Sequence, residues 1–100
     1  MAHFGDPFSV LAKKDKLTKS ELIRAIRLMV AAEYEAVQLY TQLAESIDDK
    51  LSQEVLLDIA DEEKVHAGEF LRLLKELDPE EFKHYKEGED EVAEIIEKTS

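Results

Sequence analysis

The sequence predicts an all-α protein: an antiparallel two-helix hairpin followed by short C-terminal helices, with two hairpins dimerising into a four-helix bundle. Only three glycines and two prolines occur among the 100 residues, too few to punctuate a turn-rich β fold. Two long stretches carry apolar residues near the 3.6-residue helical period. A polar turn, Ile47-Asp48-Asp49-Lys50, separates them.

Residues 1–16 read as an extended N-terminal arm. Gly5, Asp6 and Pro7 interrupt helix, and Lys13-Lys14-Asp15-Lys16 is polar. Phe4, Phe8, Val10 and Leu11 are too apolar for a purely solvated tail and are expected to dock on another surface, such as a neighbouring subunit. Residues 17–78 form the hairpin. Its first helix opens on a capping box, with Thr18 as the cap and Glu21 reaching back to it. The helix then runs uninterrupted to about Ser46, with Leu22, Ile26, Met29, Val30, Val37, Tyr40 and Leu43 on its apolar stripe. The second helix is expected from Leu51 or Ser52 to Leu77, its stripe running through Val55, Leu56, Ile59, Ala60, Glu63, His66, Ala67, Phe70, Leu73, Leu74 and Leu77. Asp78-Pro79 ends it, because proline disfavours helix in the residue before it. Residues 79–100 divide into a short helix from Pro79 to about Lys86, a break at Gly88, and an acidic amphipathic helix from Glu89 to Lys98.

Composition narrows the function. One hundred residues make one small domain with a modest core, so self-association would add stability. A formal net charge of −11 argues against nucleic acid and anionic membranes and favours attraction of cations. The absence of cysteine excludes thiol catalysis, disulfides and cysteine-ligated zinc or iron–sulfur sites. No apolar run approaches the roughly 20 residues of a membrane span, and MAHFGDPFSV lacks the basic start and apolar stretch of a signal peptide. A soluble cytoplasmic protein is the expectation.

Three polar residues interrupt the apolar stripes. Glu33 lies on the first helix between Val30 and Val37, and Glu63 and His66 lie on the second in DEEKVH. Positions i and i+3 share a helix face, so Glu63 and His66 can reach one ion together. In an antiparallel hairpin, Glu33 and Glu63 each stand about 15 residues, roughly 22 Å, from the turn. The three residues therefore converge at one level. Without a shared ligand, two acids and an imidazole on buried stripes would be costly. The four-helix di-iron plan needs a Glu from each of two helices and Glu-x-x-His from each of two more. One hairpin supplies half of that set, and a two-fold dimer the whole. Carboxylates and imidazole without thiolate suit iron or manganese, with zinc able to compete.

At these residues, AEYEAVQLY on the first helix and DEEKVH on the second, the chain resembles the encapsulated-ferritin branch of the ferritin-like superfamily over about Leu22 to Pro79. The resemblance implies a half-ferritin: a ferroxidase that oxidises Fe(II) to Fe(III) at a di-iron centre shared between two subunits. Zinc, manganese or calcium would act as substitutes for iron. It implies dimers joined into a ring, typically a decamer, working inside or fused to an encapsulin shell. By position, Glu33, Glu63 and His66 match the ferroxidase ligands, with Glu63 of each subunit bridging. Tyr40 matches a tyrosine beside the centre, and Glu35 a glutamate of an outer site on the metal's way in. Two positions depart from the pattern. Ala32 stands where some members have another acid of that outer site, and Leu39 where some have tryptophan beside the centre. The terminal Glu97-Lys98-Thr99-Ser100 also differs from the Gly- and Leu-containing peptide that addresses cargo to encapsulins.

Other readings compete. A rubrerythrin-like, peroxide-scavenging di-iron protein would use the same ligands, although the chain carries no Cys-rich electron-transfer segment. A non-catalytic metal-binding or purely helical interaction module would leave Glu63 and His66 on a solvated face. Tyr40 also fits an amphipathic core residue. Glu35, Asp61 and Glu62 fit ordinary surface charge, and His3 and His84 lie outside the stripes and fit surface residues.

Overall fold

The structure, a computed structural model, describes residues 15–100. The predicted N-terminal arm, apart from Asp15 and Lys16, lies outside the described residues. Three helices follow in order: α1 (Lys19–Glu45), α2 (Lys50–Leu77) and α3 (Pro79–Thr99), with no strand among the described residues.

The predicted start of α1 is present in full. The Thr18 hydroxyl accepts from the Glu21 backbone N–H, and the Glu21 carboxylate accepts from the Thr18 N–H at 2.9 Å. The helix closes at Ser46, whose hydroxyl donates to the Gln42 carbonyl at 2.7 Å. α2 begins at Lys50, slightly earlier than expected. Asp49 is its cap and accepts from the Ser52 N–H, drawing the residues between them into the first turn. The Gln53 amide donates to the Ile47 carbonyl at 2.6 Å and closes the connection.

α1 and α2 pack along their length as the antiparallel hairpin. Their mutual seam buries Ile26, Val30 and Ala44 of α1 against Ala60, Ala67 and Leu74 of α2. Alanines on α2 let the two helices approach closely. This seam leaves a second one empty. Leu22, Ala25, Met29, Ala32, Ala36, Leu39 and Leu43 follow a three-four spacing on α1, and Leu56, Ile59, Glu63, His66, Phe70, Leu73 and Leu77 follow the same spacing on α2. Such spacing marks a helix-packing stripe. Leu22, Leu39, Leu43 and Leu73, all on it, are 37–50 % exposed. Leu22, Leu43, Val55 and Leu73, expected from the sequence on the same stripes as the hairpin core, therefore belong to a face that the hairpin does not cover.

The C-terminal region differs from expectation. In place of two short helices broken at Gly88, α3 is one helix of 21 residues. Asp78 caps it, Pro79 occupies its first turn, and the pairs Lys83–Glu80 and Lys86–Asp90 brace it. These features outweigh the glycine's cost of about 1 kcal/mol. A methyl group at Gly88 would meet no atom within 4 Å. Gly88→Ala is expected to steady α3 by about 1 kcal/mol, slowing amide hydrogen exchange on both sides of residue 88 by about fivefold.

α3 is fastened to the hairpin at its beginning only. The Arg27 Nε donates to Glu81 at 2.8 Å, Arg27 Nη2 meets the same oxygen, and the Tyr85 hydroxyl donates to the other. The Arg27 hydrogen bonds hold the Glu81 carboxyl below its ordinary range. The Phe82 and Tyr85 rings meet edge to face, 4.7 Å between centres. From Lys83 onward every residue is exposed. The radius of gyration is 17.6 Å, well above the roughly 13 Å of a closed domain of this length. α3 thus projects from the hairpin. No helix among the described residues is long and apolar enough to cross a membrane.

Candidate metal centre

The three stripe-interrupting residues meet as the register predicts. Glu33 reaches across from α1, while Glu63 and His66 stand one turn apart on α2. Their ligand atoms lie within 4.8 Å of one another, the one such group of three His, Asp or Glu residues among the described residues. His66 Nδ1 is 3.6 Å from Glu63 Oε1 and 3.7 Å from Glu33 Oε2. Two ligands on one ion at about 2.1 Å lie between about 3.0 Å and about 4.2 Å apart. The observed spacings fall inside that window, so the backbones already stand where a shared ion would need them.

Electrostatics favour a cation there. Glu33 Oε2 is buried without a hydrogen-bond partner, and such an orphan is costly unless something supplies positive charge or a donor. Burial, chiefly, and then the neighbouring Glu63 carboxylate push the Glu33 carboxyl above its ordinary value, with His66 partly opposing. The metal-free hairpin is therefore steadier with Glu33 protonated, and this contribution fades as pH rises through the elevated value. A divalent ion would replace that proton, satisfy the orphaned oxygen and relieve the repulsion between the acids. The donor set of two carboxylates and one imidazole suits iron, manganese or zinc. His66 is nearly half exposed, on the uncovered face, so the ligand set is open on that side.

The remaining candidates lie outside this group. Tyr40 is half-buried two turns further along α1, on the Glu33 seam. Glu35 is half-buried but about 200° around α1 from Glu33, at 100° per residue. Asp61 pairs with Lys64 at 3.3 Å, and Glu62 is exposed. His84 sits exposed on α3, 3.8 Å from Glu87, and His3 lies outside the described residues. Ala32 and Leu39 both fall on the uncovered seam, where their lack of polar groups keeps that face apolar. The Arg27–Glu81–Tyr85 cluster gave no sequence signal, because it joins residues 54 positions apart.

The family model for rubrerythrin matches residues 24–100, a span that takes in all three residues of this group. The chain belongs to the rubrerythrin family. Among its rubrerythrin-family relatives is the ferritin-like–encapsulin shell fusion protein of Pyrococcus furiosus, 45 % identical over 86 residues, covering 85 % of this chain and 25 % of that protein. Another is the encapsulin nanocompartment cargo protein EncC of Myxococcus xanthus, 39 % identical over 83 residues, covering 83 % of this chain and 63 % of that protein. The chain thus spans about a quarter of the first and under two thirds of the second. The crystal structure of the encapsulated ferritin domain from Pyrococcus furiosus matches with a TM-score of 0.80 and 41 % identity, covering 87 % of this chain and 89 % of that one. The encapsulated-ferritin resemblance read from AEYEAVQLY and DEEKVH is borne out, and the all-helical fold with it.

Proposed function

We propose that this rubrerythrin-family chain is a ferroxidase of encapsulated-ferritin type, active when two copies bring their Glu33, Glu63 and His66 together. The buried, unpartnered Glu33 Oε2 facing Glu63 and His66 carries this reading. The uncovered seam supports the dimer. Glu63 and His66 occupy successive positions of a helix-packing stripe that only another helical surface can complete. Two hairpins would give four carboxylates and two imidazoles, the ligand count of a di-iron carboxylate site.

The substrate is ferrous iron, drawn by a chain of net charge −11. Two Fe(II) give up one electron each to one dioxygen, which takes up two protons and leaves as hydrogen peroxide, with two Fe(III) as product. The carboxylates offset the rising charge of the oxidised ions, and the apolar seam around them excludes bulk water. In this reading Tyr40 supports the centre from the Glu33 seam, and Glu35, on another side of α1, receives incoming cations. Zinc, manganese and calcium would compete for these donors without the same chemistry. By likeness to the shell fusion and the shell cargo protein, an encapsulin shell is the proposed setting; the cytoplasm as its location and a ring such as a decamer as the assembly are carried over from the sequence as part of the proposal.

The family match also favours a second oxidant, hydrogen peroxide, as in a rubrerythrin-like scavenger. Anaerobic loading with Fe(II), followed by dioxygen or peroxide in matched experiments, separates the two. The ferroxidase reading expects rapid Fe(III) absorbance with dioxygen and peroxide accumulating as a product. Oxidation by peroxide alone would favour the scavenger, and no protein-dependent oxidation by either would refute both.

A further inference from the structure

The back of the hairpin, opposite the ligand seam, carries a groove of its own. At 100° per residue, Tyr34 lies about 140–160° around α1 from Met29 and Ala36, and Gly68 lies as far around α2 from Glu63 and His66. Arg27, Val30, Tyr34, Leu71 and Leu74 line the groove together with Tyr85, where α3 sets out, and its volume is about 390 Å³. Tyr34 is 56 % exposed. Gly68 stands one turn from Leu71, and a methyl group there would meet no atom within 4 Å. A glycine inside a helix costs about 1 kcal/mol against alanine. What it gives this back face is room for another backbone to come close.

α3 carries an apolar surface of matching kind. Tyr85, Val92, Ile95, Ile96 and Thr99 fall within about 100° of arc on that helix. Tyr85, at the start of this stripe, already sits at the groove beside Leu71 and Leu74. Val92, Ile95 and Ile96, further along it, are 53–60 % exposed. The face that seats α3 on its own hairpin therefore continues into solvent, over about 21 Å from Tyr85 to Thr99.

We infer that the groove receives α3 of a second copy, its Val92, Ile95 and Ile96 lying between Tyr34 and Gly68, and that this contact joins one metal-bridged pair of chains to the next. The inference rests on the pair reading above and goes beyond it, because it uses the opposite face of the hairpin.

The joint between α2 and α3 selects a second copy over the chain's own helix. Asp78 is the single residue between them and caps both. Antiparallel helix neighbours need a connection of about two to five residues, and Pro79 fixes the backbone on the far side of the joint. α3 therefore cannot fold back along its own hairpin, and the 45 Å breadth of the chain reflects its standing out. Three aliphatic side chains make only a weak contact between lone hairpins. A metal-bridged pair presents two such helices and two such grooves, so one contact raises the effective concentration for the next. The ligand seam and the back groove lie on opposite faces, so pairs join pairs without competing for one surface.

Two single-cysteine variants of the full-length protein test the contact, because the natural chain has no cysteine to interfere. Val92→Cys and Gly68→Cys, carrying tags of different length, are mixed, loaded anaerobically with Fe(II) and joined with a short bismaleimide. The expected product is a covalent species containing one chain of each variant, drawn from particles of four or more chains. In a companion dilution series followed by sedimentation velocity, Val92→Asp should raise the concentration at which iron-loaded pairs associate at least about tenfold, as burying an unpaired carboxylate would, with two irons per pair retained. Cross-links between like variants only, no cross-link within the larger particles, wild-type particles that stop at two chains throughout the series, or a Val92→Asp protein that associates like the wild type would each overturn the α3 contact and leave the shared metal site standing. An iron-loaded wild type that sediments as a monomer would instead refute the pair reading, and the α3 contact with it.

Discussion

Replacing Glu63 with alanine is expected to reduce Fe(II) oxidation at least about 100-fold, a loss as large as removing the outer supports of a metal ligand can cause. Glu63 lies 3.6 Å from His66 and shares the three-ligand group with it and Glu33. Its removal takes one of three donors from each half-site and two of six from the paired site. The helix should not suffer, since alanine is the better helix former and Glu63 makes no hydrogen bond that braces α2. Circular dichroism should therefore match the wild type while stopped-flow Fe(III) absorbance disappears. Glu62→Ala is the control, as Glu62 is adjacent in sequence and exposed. Retention of the wild-type rate by Glu63→Ala, or equal losses in both variants, would place the chemistry elsewhere.

Iron should also drive assembly. A ligand held fully only by the paired state stabilises that state by about 2.7 kcal/mol for each site filled at a hundredfold excess over its dissociation constant. Anaerobic Fe(II) is therefore expected to tighten the dimer about 100-fold per site, read as a shift from the monomer to the dimer boundary in sedimentation velocity. EDTA should reverse it. The small core of the single hairpin adds to the effect: only six apolar residues are buried among the described residues, three of them alanine. A boundary that does not move with iron would mean that each hairpin binds metal alone.

Much of this was legible in the sequence because it follows from local rules. Thr18 and Glu21 fix where α1 begins, Asp78-Pro79 fixes where α2 ends, and the equal distances of Glu33 and Glu63 from one polar turn fix the ligand level. What misled was the interleaving of two stripes on each helix. Leu22 and Leu43 sit beside Ile26 and Ala44 on the same periodic pattern, and only the packing shows which pair meets α2 and which faces outward. The separate three-four spacing of Leu22, Met29, Ala36 and Leu43 was the available signal. Gly88 misled differently. A single glycine lowers helix stability by less than the flanking cap, proline and ion pairs restore, so its breaking power depends on neighbours. The attachment of α3 through Arg27, Glu81 and Tyr85 had no periodic signature at all.

The central claim is that the metal site belongs to two chains. Native mass spectrometry of the anaerobically iron-loaded protein counts chains and metal ions in the same particle. The prediction is an even number of chains carrying two irons per pair, with the single chain free of stoichiometric iron. A monomer holding its full complement of iron, or a dimer holding none, would contradict it.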